Sequence, residues 1–93
     1  MEVLDDAAVQ SALRELPGWT RDADEIVKTF EFDTFPSAIA FVDRVAEAAE
    51  ATNHHPDVDI RYSKITCRLT SHDSGGLTEK DTSLAKRLDQ LAS

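Results

Sequence analysis

The sequence is poor in the residues that define several common classes of small protein. Its 93 residues include one cysteine, three glycines and three prolines, and aromatic residues make up only 6%. The lone thiol of Cys67 can form no internal disulfide and no thiolate metal site, so we expect it to be buried and inert. No repeat, low-complexity tract or linker-like stretch is visible. Length and composition therefore predict one globular domain over residues 1–93.

Basic residues are also scarce, and no long apolar run is present. Ten lysines and arginines stand against 18 aspartates and glutamates, which gives a formal net charge of -8. This charge would repel a phosphate backbone, so we expect no binding to DNA or RNA. No segment approaches the roughly 18 consecutive apolar residues of a membrane span. The first residues lack the basic start and apolar run of a signal peptide, so we expect a cytoplasmic protein with no membrane association.

Hydrophobic spacing and capping residues divide the chain into seven short elements in the order α-β-β-α-β-β-α. A capping box from Thr78 to Asp81 opens the last helix after the flexible pair Gly75-Gly76. The other expected elements are a helix from Asp5 or Asp6 to Leu16, a strand pair over 19–21 and 25–32, a helix from Phe35 or Pro36 to Thr52, and a strand pair over 57–62 and 65–70.

The second strand pair carries a pattern that predicts its register. Apolar side chains alternate with polar ones on both strands, and a symmetric turn at Ser63-Lys64 sets apolar against apolar and acid against base. Extending this pairing beyond the strands places His55 opposite His72. The predicted pairs are Val58 with Leu69, Ile60 with Cys67, Tyr62 with Ile65, and Asp59 with Arg68.

All three histidines of the chain, His54, His55 and His72, fall in the short window that these elements bring together. Histidine has an unperturbed pKa of about 6.5, which lets it donate and accept protons near neutral pH. Such a cluster therefore indicates proton-transfer chemistry. Asp81, at the third position of the last helix, is expected to face inward and orient a nearby imidazole, with His72 as the expected partner. A spacing of four residues could also bring Glu50 to His54.

Simpler interpretations compete with these assignments. Capping-box residues are common, so Asp81 on its own would more often be structural, and a glutamate near a helix end such as Glu50 is usually just solvated. Tyr62 and Trp19 are more typical of core or interface positions than of substrate stacking. Three histidines and an acid could also bind a metal, but adjacent histidines on an extended chain point apart. Metal-free acid–base chemistry is therefore favoured, and no metal site is expected.

Four motifs follow one another along the second half of the chain. They are Glu-Ala-Thr-Asn-His-His-Pro over residues 50–56, Tyr62, Ser-His-Asp over 71–73, and Gly-Gly-Leu-Thr-Glu-Lys-Asp over 75–81. Together they resemble the signature of the pterin-4a-carbinolamine dehydratases. The resemblance covers most of the chain, because Leu-Pro-Gly-Trp at 16–19 and Phe-Glu-Phe at 30–32 are also similar to that family.

The resemblance implies an α+β fold with a four-stranded antiparallel sheet and helices packed on one face, in the element order given above. The implied reaction is dehydration of 4a-hydroxytetrahydrobiopterin, a pterin-4a-carbinolamine, to quinonoid dihydropterin, a step in tetrahydropterin recycling. One group must protonate the departing 4a-hydroxyl while another accepts the proton lost from N5, and two histidines meet that need. No metal or organic cofactor is implied.

The resemblance also implies roles for individual residues. His54 and His72 would form the acid–base pair, and the sequence leaves open which of them is the acid. His55 would contact the substrate and share in proton transfer, and Asp81 would hold the histidine geometry. The residues implied to line the pterin site are Glu50, His54, His55, Pro56, Ser71, His72, Asp73 and Ser74.

Members of this family can also act as small oligomeric partners that stabilise other proteins, so a non-catalytic assembly role is the alternative. Intact histidines favour catalysis, but they do not exclude a second role. A core this small gains stability from association. We therefore expect a homodimer or homotetramer, joined by the open edge of the second strand pair or by an apolar helix face.

Overall fold

The structure, a computed structural model, describes residues 2–93. Within them the chain forms three α-helices, four strands and one short 3-10 turn, which spans His72–Ser74, and the helices and strands follow the predicted order. The helices are α1 (Asp6–Leu13), α2 (Phe35–Thr52) and α3 (Glu79–Ala92). The strands are β1 (Thr20–Asp22), β2 (Glu25–Glu31), β3 (Asp57–Arg61) and β4 (Lys64–Leu69).

Capping residues define both ends of α2 and the start of α3. Thr34 caps α2 by accepting a hydrogen bond from the Ser37 amide, and Asn53 ends it in the left-handed conformation with a φ of 51°. Thr78 opens α3 through a capping box, in which its backbone amide donates to the carboxylate of Asp81. Asp81 therefore stabilises the helix from a position inside the fold.

The four strands form one antiparallel sheet in the order β1-β2-β4-β3. One face carries buried side chains of the two central strands, among them Ile26 and Phe30 of β2 and Ile65 and Leu69 of β4. All three helices contribute to the core on that face, where Phe41 of α2 lies 4.8 Å from Phe30 between ring centroids. The predicted α+β architecture is thereby confirmed. In the part of the chain that the structure describes, no helix has the length and apolar character to cross a membrane.

The register of the β3–β4 hairpin differs from the prediction by two residues. The turn is formed by Tyr62 and Ser63, with Tyr62 in the left-handed region at a φ of 53°. A shift of two residues keeps every side chain on its original face, so hydrophobic alternation cannot distinguish the two registers. Pairing starts at Asp57, and the predicted pairing of His55 with His72 is wrong. The observed pairs are Asp57 with Arg68, Val58 with Cys67, Asp59 with Thr66, Ile60 with Ile65, and Arg61 with Lys64.

Strand β3 lies at the edge of the sheet and leaves apolar side chains exposed. Val58 and Ile60 lie on the face that the helices cover elsewhere, but they remain 37% and 44% exposed. At the end of the strand, Phe35 stacks on Tyr62 with 6.3 Å between ring centroids, and both rings are exposed. We call these four residues the edge patch. Within residues 2–93, Val3 is the only other large hydrophobic residue that is exposed.

Cys67 is fully buried on the core face of β4, as expected from the sequence. Burial raises the pKa of its thiol from 9.0 to about 12, so almost no thiolate exists at mildly alkaline pH. We expect the reagent DTNB to leave the folded protein unlabelled and to label one thiol per chain in denaturant, as measured by absorbance. Labelling of the folded protein at the rate of the denatured chain would contradict this environment.

Candidate active site

A cavity of about 470 Å³ lies between the end of α2 and the segment that joins β4 to α3. The structure brings all three histidines to this one place, although they come from two separate segments of the sequence. Glu50 and Pro56, which the resemblance assigns to the site, are not among the residues that line the cavity. The lining residues are Asn53, His54, His55, Thr70, Ser71, His72, Asp73, Ser74 and Lys80.

The backbone at the end of α2 gives the two neighbouring histidines different surroundings. Asn53 closes the helix in the left-handed conformation, and the amide of His54 donates to the carbonyl of Ala49 at 3.1 Å. Pro56 then biases His55 towards an extended backbone. As a result, the side chain of His54 is only 12% exposed, whereas that of His55 is 55% exposed.

His54 contacts a buried carboxylate. Its Nε2 lies 2.5 Å from Oδ1 of Asp81, which is fully buried. The other oxygen of Asp81, Oδ2, accepts hydrogen bonds from the Ser71 hydroxyl at 2.8 Å and from the Thr78 amide at 2.9 Å. The prediction that His72 is the partner of Asp81 is wrong, because the observed register leaves His72 on the exposed turn after β4. Asp81 instead holds the one histidine that is largely buried.

His55 is paired with Glu50 at the surface. Its Nε2 forms a hydrogen bond with Oε2 of Glu50, and both side chains are more than half exposed. The sequence spacing predicts His54 as the neighbour of Glu50, but the left-handed residue Asn53 breaks the helical spacing and brings His55 there instead. A contact this exposed adds little to stability, so its main effect is to orient the imidazole of His55.

His72 opens the 3-10 turn that forms another part of the cavity wall. The carbonyl of Ser71 holds this turn by accepting from the amides of Ser74 and Gly75, and Gly75 adopts a φ of 81°, which favours glycine. Within residues 2–93, His72 is the one histidine without a carboxylate partner. The three imidazoles therefore lie in three environments: that of His54 is largely buried and paired with a carboxylate, that of His55 is exposed and paired with a carboxylate, and that of His72 is exposed without a carboxylate partner.

Three of the lining residues, Asn53, Thr70 and Lys80, are not predicted from the sequence as site residues. Lys80 is the only lysine or arginine in the lining, and it brings positive charge to the cavity of a strongly acidic chain. Its position in the first turn of α3, next to Asp81, is the signal that points to it. Within the described part of the chain, no group of three or more histidine, cysteine or acidic side chains is arranged to hold a metal ion.

Comparisons with known proteins identify the family. The family model described as Pterin 4 alpha carbinolamine dehydratase matches residues 2–91. The chain belongs to this family. Among its relatives are proteins provisionally named as pterin-4-alpha-carbinolamine dehydratases. One from Nocardia farcinica is 53% identical over 98% of this chain and 96% of its own length. Another from Thermomicrobium roseum is 52% identical over the whole of both chains.

Two solved structures share the fold of this pterin dehydratase family member. A structure described as a transcriptional coactivator/pterin dehydratase from Brucella melitensis is 30% identical, covers 99% of this chain and 100% of its own, and has a TM-score of 0.95. A pterin dehydratase-like protein identified as a RuBisCO assembly factor in the alpha-carboxysome is 25% identical. Its TM-score is 0.67, over 81% of this chain and 87% of its own. Proteins with this fold therefore include one described as a pterin dehydratase and one identified as an assembly factor.

Proposed function

We propose that this protein is a pterin-4a-carbinolamine dehydratase, which removes water from 4a-hydroxytetrahydrobiopterin to give quinonoid dihydropterin in tetrahydropterin recycling. The observation that carries the proposal is the meeting of three imidazoles at one cavity, with one of them held by a buried carboxylate. The volume of about 470 Å³ is within the range of small-molecule sites, and the polar lining suits a polar heterocycle. In this proposal, residues 1–93 form a single catalytic domain.

The reaction needs one proton acceptor and one proton donor on the same substrate. The N5–H bond breaks, its proton goes to the acceptor, and the electron pair forms the C4a=N5 double bond. The C4a–O bond breaks, and the leaving hydroxyl takes a proton from the donor and departs as water. The step balances without an oxidant or a reductant, and proton exchange with solvent restores both protein groups.

His54 is the proposed acceptor, and His72 is the proposed donor. The carboxylate of Asp81 stabilises the imidazolium that forms when His54 takes the N5 proton. His72 has no such acid within residues 2–93 and can release its proton without losing an ion pair. His55, oriented by Glu50, is assigned to substrate contact and a share in proton transfer. The other proposed pterin contacts are Asp73, Ser74 and Lys80, which line the same cavity.

Stopped-flow measurement of 4a-hydroxytetrahydrobiopterin dehydration tests the proposal, with the uncatalysed rate as the reference. We expect an acceleration proportional to the protein concentration. A rate equal to the uncatalysed rate would refute a dehydratase. It would favour the alternative function, a binding role of the kind named for the alpha-carboxysome relative.

We further infer a homodimer joined through β3. The free side of this edge strand has no strand partner within residues 2–93, and the edge patch exposes four large hydrophobic side chains. Antiparallel pairing about a two-fold axis at Ile60 sets Val58 against Tyr62 of the second copy. The same pairing sets Asp59 against Arg61 of the second copy. Apolar side chains then meet apolar ones, and acid meets base. A homotetramer would need a second interface.

Ile60→Lys is expected to convert this dimer into a monomer, because the two-fold axis brings the two introduced positive charges face to face. Multi-angle light scattering at matched protein concentrations measures the molar mass. Val3→Lys is the matched control, since Val3 is about as exposed as Ile60 but lies outside the edge patch, and its mass is expected to equal that of the wild type. A monomeric wild type, or a dimeric Ile60→Lys variant, would contradict the interface.

A further inference from the structure

A buried chain of hydroxyl groups leads to the carboxylate that holds His54. The Ser71 hydroxyl lies 2.8 Å from Oδ2 of Asp81 and 2.9 Å from the hydroxyl of Thr78. Ser71 is 6% exposed, and the other two residues are fully buried. These contacts are therefore shielded from solvent, at the point where Ser71 lines the cavity wall.

The direction of each hydrogen bond follows from the protons available. A carboxylate only accepts, so the single hydroxyl proton of Ser71 is donated to Asp81. The Ser71 oxygen must then accept from Thr78, whose own oxygen accepts from the amide of Lys80 at 3.2 Å. The two hydroxyl hydrogen bonds therefore run in one direction, from Thr78 to Ser71 and from Ser71 to Asp81.

These contacts determine which nitrogen of His54 carries a proton. Asp81 accepts two hydrogen bonds on Oδ2, and it lies in the first turn of α3, where the helix dipole favours negative charge. A charged Asp81 offers only lone pairs, so Nε2 of His54 bears the hydrogen between the two groups. In the neutral ring, Nδ1 is then the nitrogen that can accept a proton.

We propose that Ser71 is a positioning residue that acts on His54 through Asp81. Its hydroxyl holds the carboxylate in the orientation that directs Oδ1 at Nε2, and it thereby keeps Nδ1 as the proton-accepting atom. This role differs from the direct substrate contact that the family resemblance implies for Ser71. The kinetic consequence rests on the proposed dehydratase function, whereas the protonation of the imidazole does not.

The backbone around Ser71 is held independently of its side chain. The Ser71 amide donates to the carbonyl of Gly76 at 3.2 Å, and the Ser71 carbonyl accepts from the amides of Ser74 and Gly75 at 3.0 Å. Removal of the hydroxyl therefore leaves these loop contacts in place, so a substitution can separate the positioning role from the structure of the loop.

Ser71→Ala tests the proposal by nuclear magnetic resonance of the histidine ring nitrogens, whose chemical shifts distinguish the two neutral tautomers. We expect the wild-type His54 ring to be protonated almost wholly at Nε2, and the Nδ1-protonated fraction to rise several-fold in the variant. If Ser71→Ala does not fold, Ser71→Cys replaces it, because a thiol keeps the volume and is a weak donor. This measurement needs no turnover, so its result stands whether or not the protein is a dehydratase.

Dehydration kinetics supply the second readout. Loss of one hydrogen bond to a charged group corresponds to a fall of roughly tenfold in kcat, and KM is expected to stay within about twofold. Ser71→Thr keeps the hydroxyl and should restore both the tautomer and kcat. Ser83→Ala removes an exposed hydroxyl from α3 and should change neither.

The outcomes separate the two proposals. A wild-type His54 ring protonated at Nδ1, or a Ser71→Ala variant with the wild-type tautomer ratio, would overturn the positioning role. A shifted tautomer ratio with an unchanged kcat would uphold the positioning role and count against His54 as the proton acceptor.

Discussion

Replacement of His54 by alanine is expected to lower the rate of carbinolamine dehydration by about 10²- to 10⁴-fold, the contribution typical of a positioned acid or base. Within residues 2–93, His54 is the only histidine held by a buried carboxylate, so neither other imidazole can replace it. His72→Ala is expected to cause a loss of the same order, because it removes the proposed proton donor. Stopped-flow kinetics of the purified variants at equal concentrations provide the measurement.

His55→Ala is the matched comparison within the same cavity. His55 is exposed and is paired only with the exposed Glu50, so we expect its loss to raise KM more than it lowers kcat. Far-ultraviolet circular dichroism and unfolding midpoints near the wild-type values would show that all three variants are folded. Wild-type rates in both His54→Ala and His72→Ala would rule out the proposed acid–base pair.

Asp81→Ala is expected to lower the free energy of unfolding by about 3 kcal/mol and to remove most of the activity. The truncation leaves the Ser71 hydroxyl, the Thr78 amide and Nε2 of His54 without their common acceptor. It also removes one half of the capping box that starts α3. Urea unfolding followed by circular dichroism at a fixed protein concentration measures the change.

Asp43→Ala supplies the control for this measurement. Asp43 is an exposed aspartate of α2, and its truncation is expected to change the free energy of unfolding by about 0.5 kcal/mol or less. Equal decreases in the free energy of unfolding for Asp81→Ala and Asp43→Ala would show that the buried hydrogen bonds of Asp81 contribute little to stability.

Much of the fold is readable from local sequence signals. Thr78 and Asp81 form the predicted capping box, and Asn53 ends α2 as predicted, because each feature depends on residues within one helical turn. The predicted gathering of the three histidines is confirmed by their shared cavity, even though the strand pairing that suggested it is wrong. Patterns that repeat along the chain thus locate the site but not its internal contacts.

The internal contacts depend on interactions that these patterns do not encode. Hydrophobic alternation leaves two hairpin registers equivalent, and the observed one places Tyr62 in a left-handed conformation that is uncommon for a residue with a large side chain. The partner of Asp81 lies 27 residues away in the sequence, so it depends on how α3 docks beside the end of α2. A single left-handed residue, Asn53, decides which histidine meets Glu50.

The position of Asp81 in the first turn of α3 links the site to the fraying of that helix. Helix ends open locally at a lower free-energy cost than the whole fold. Each such opening would break the bond from the Thr78 amide and withdraw the carboxylate from His54 in the same motion. The site therefore stays assembled only while the first turn of α3 is folded. Hydrogen exchange of the Thr78 amide reports how often that turn opens.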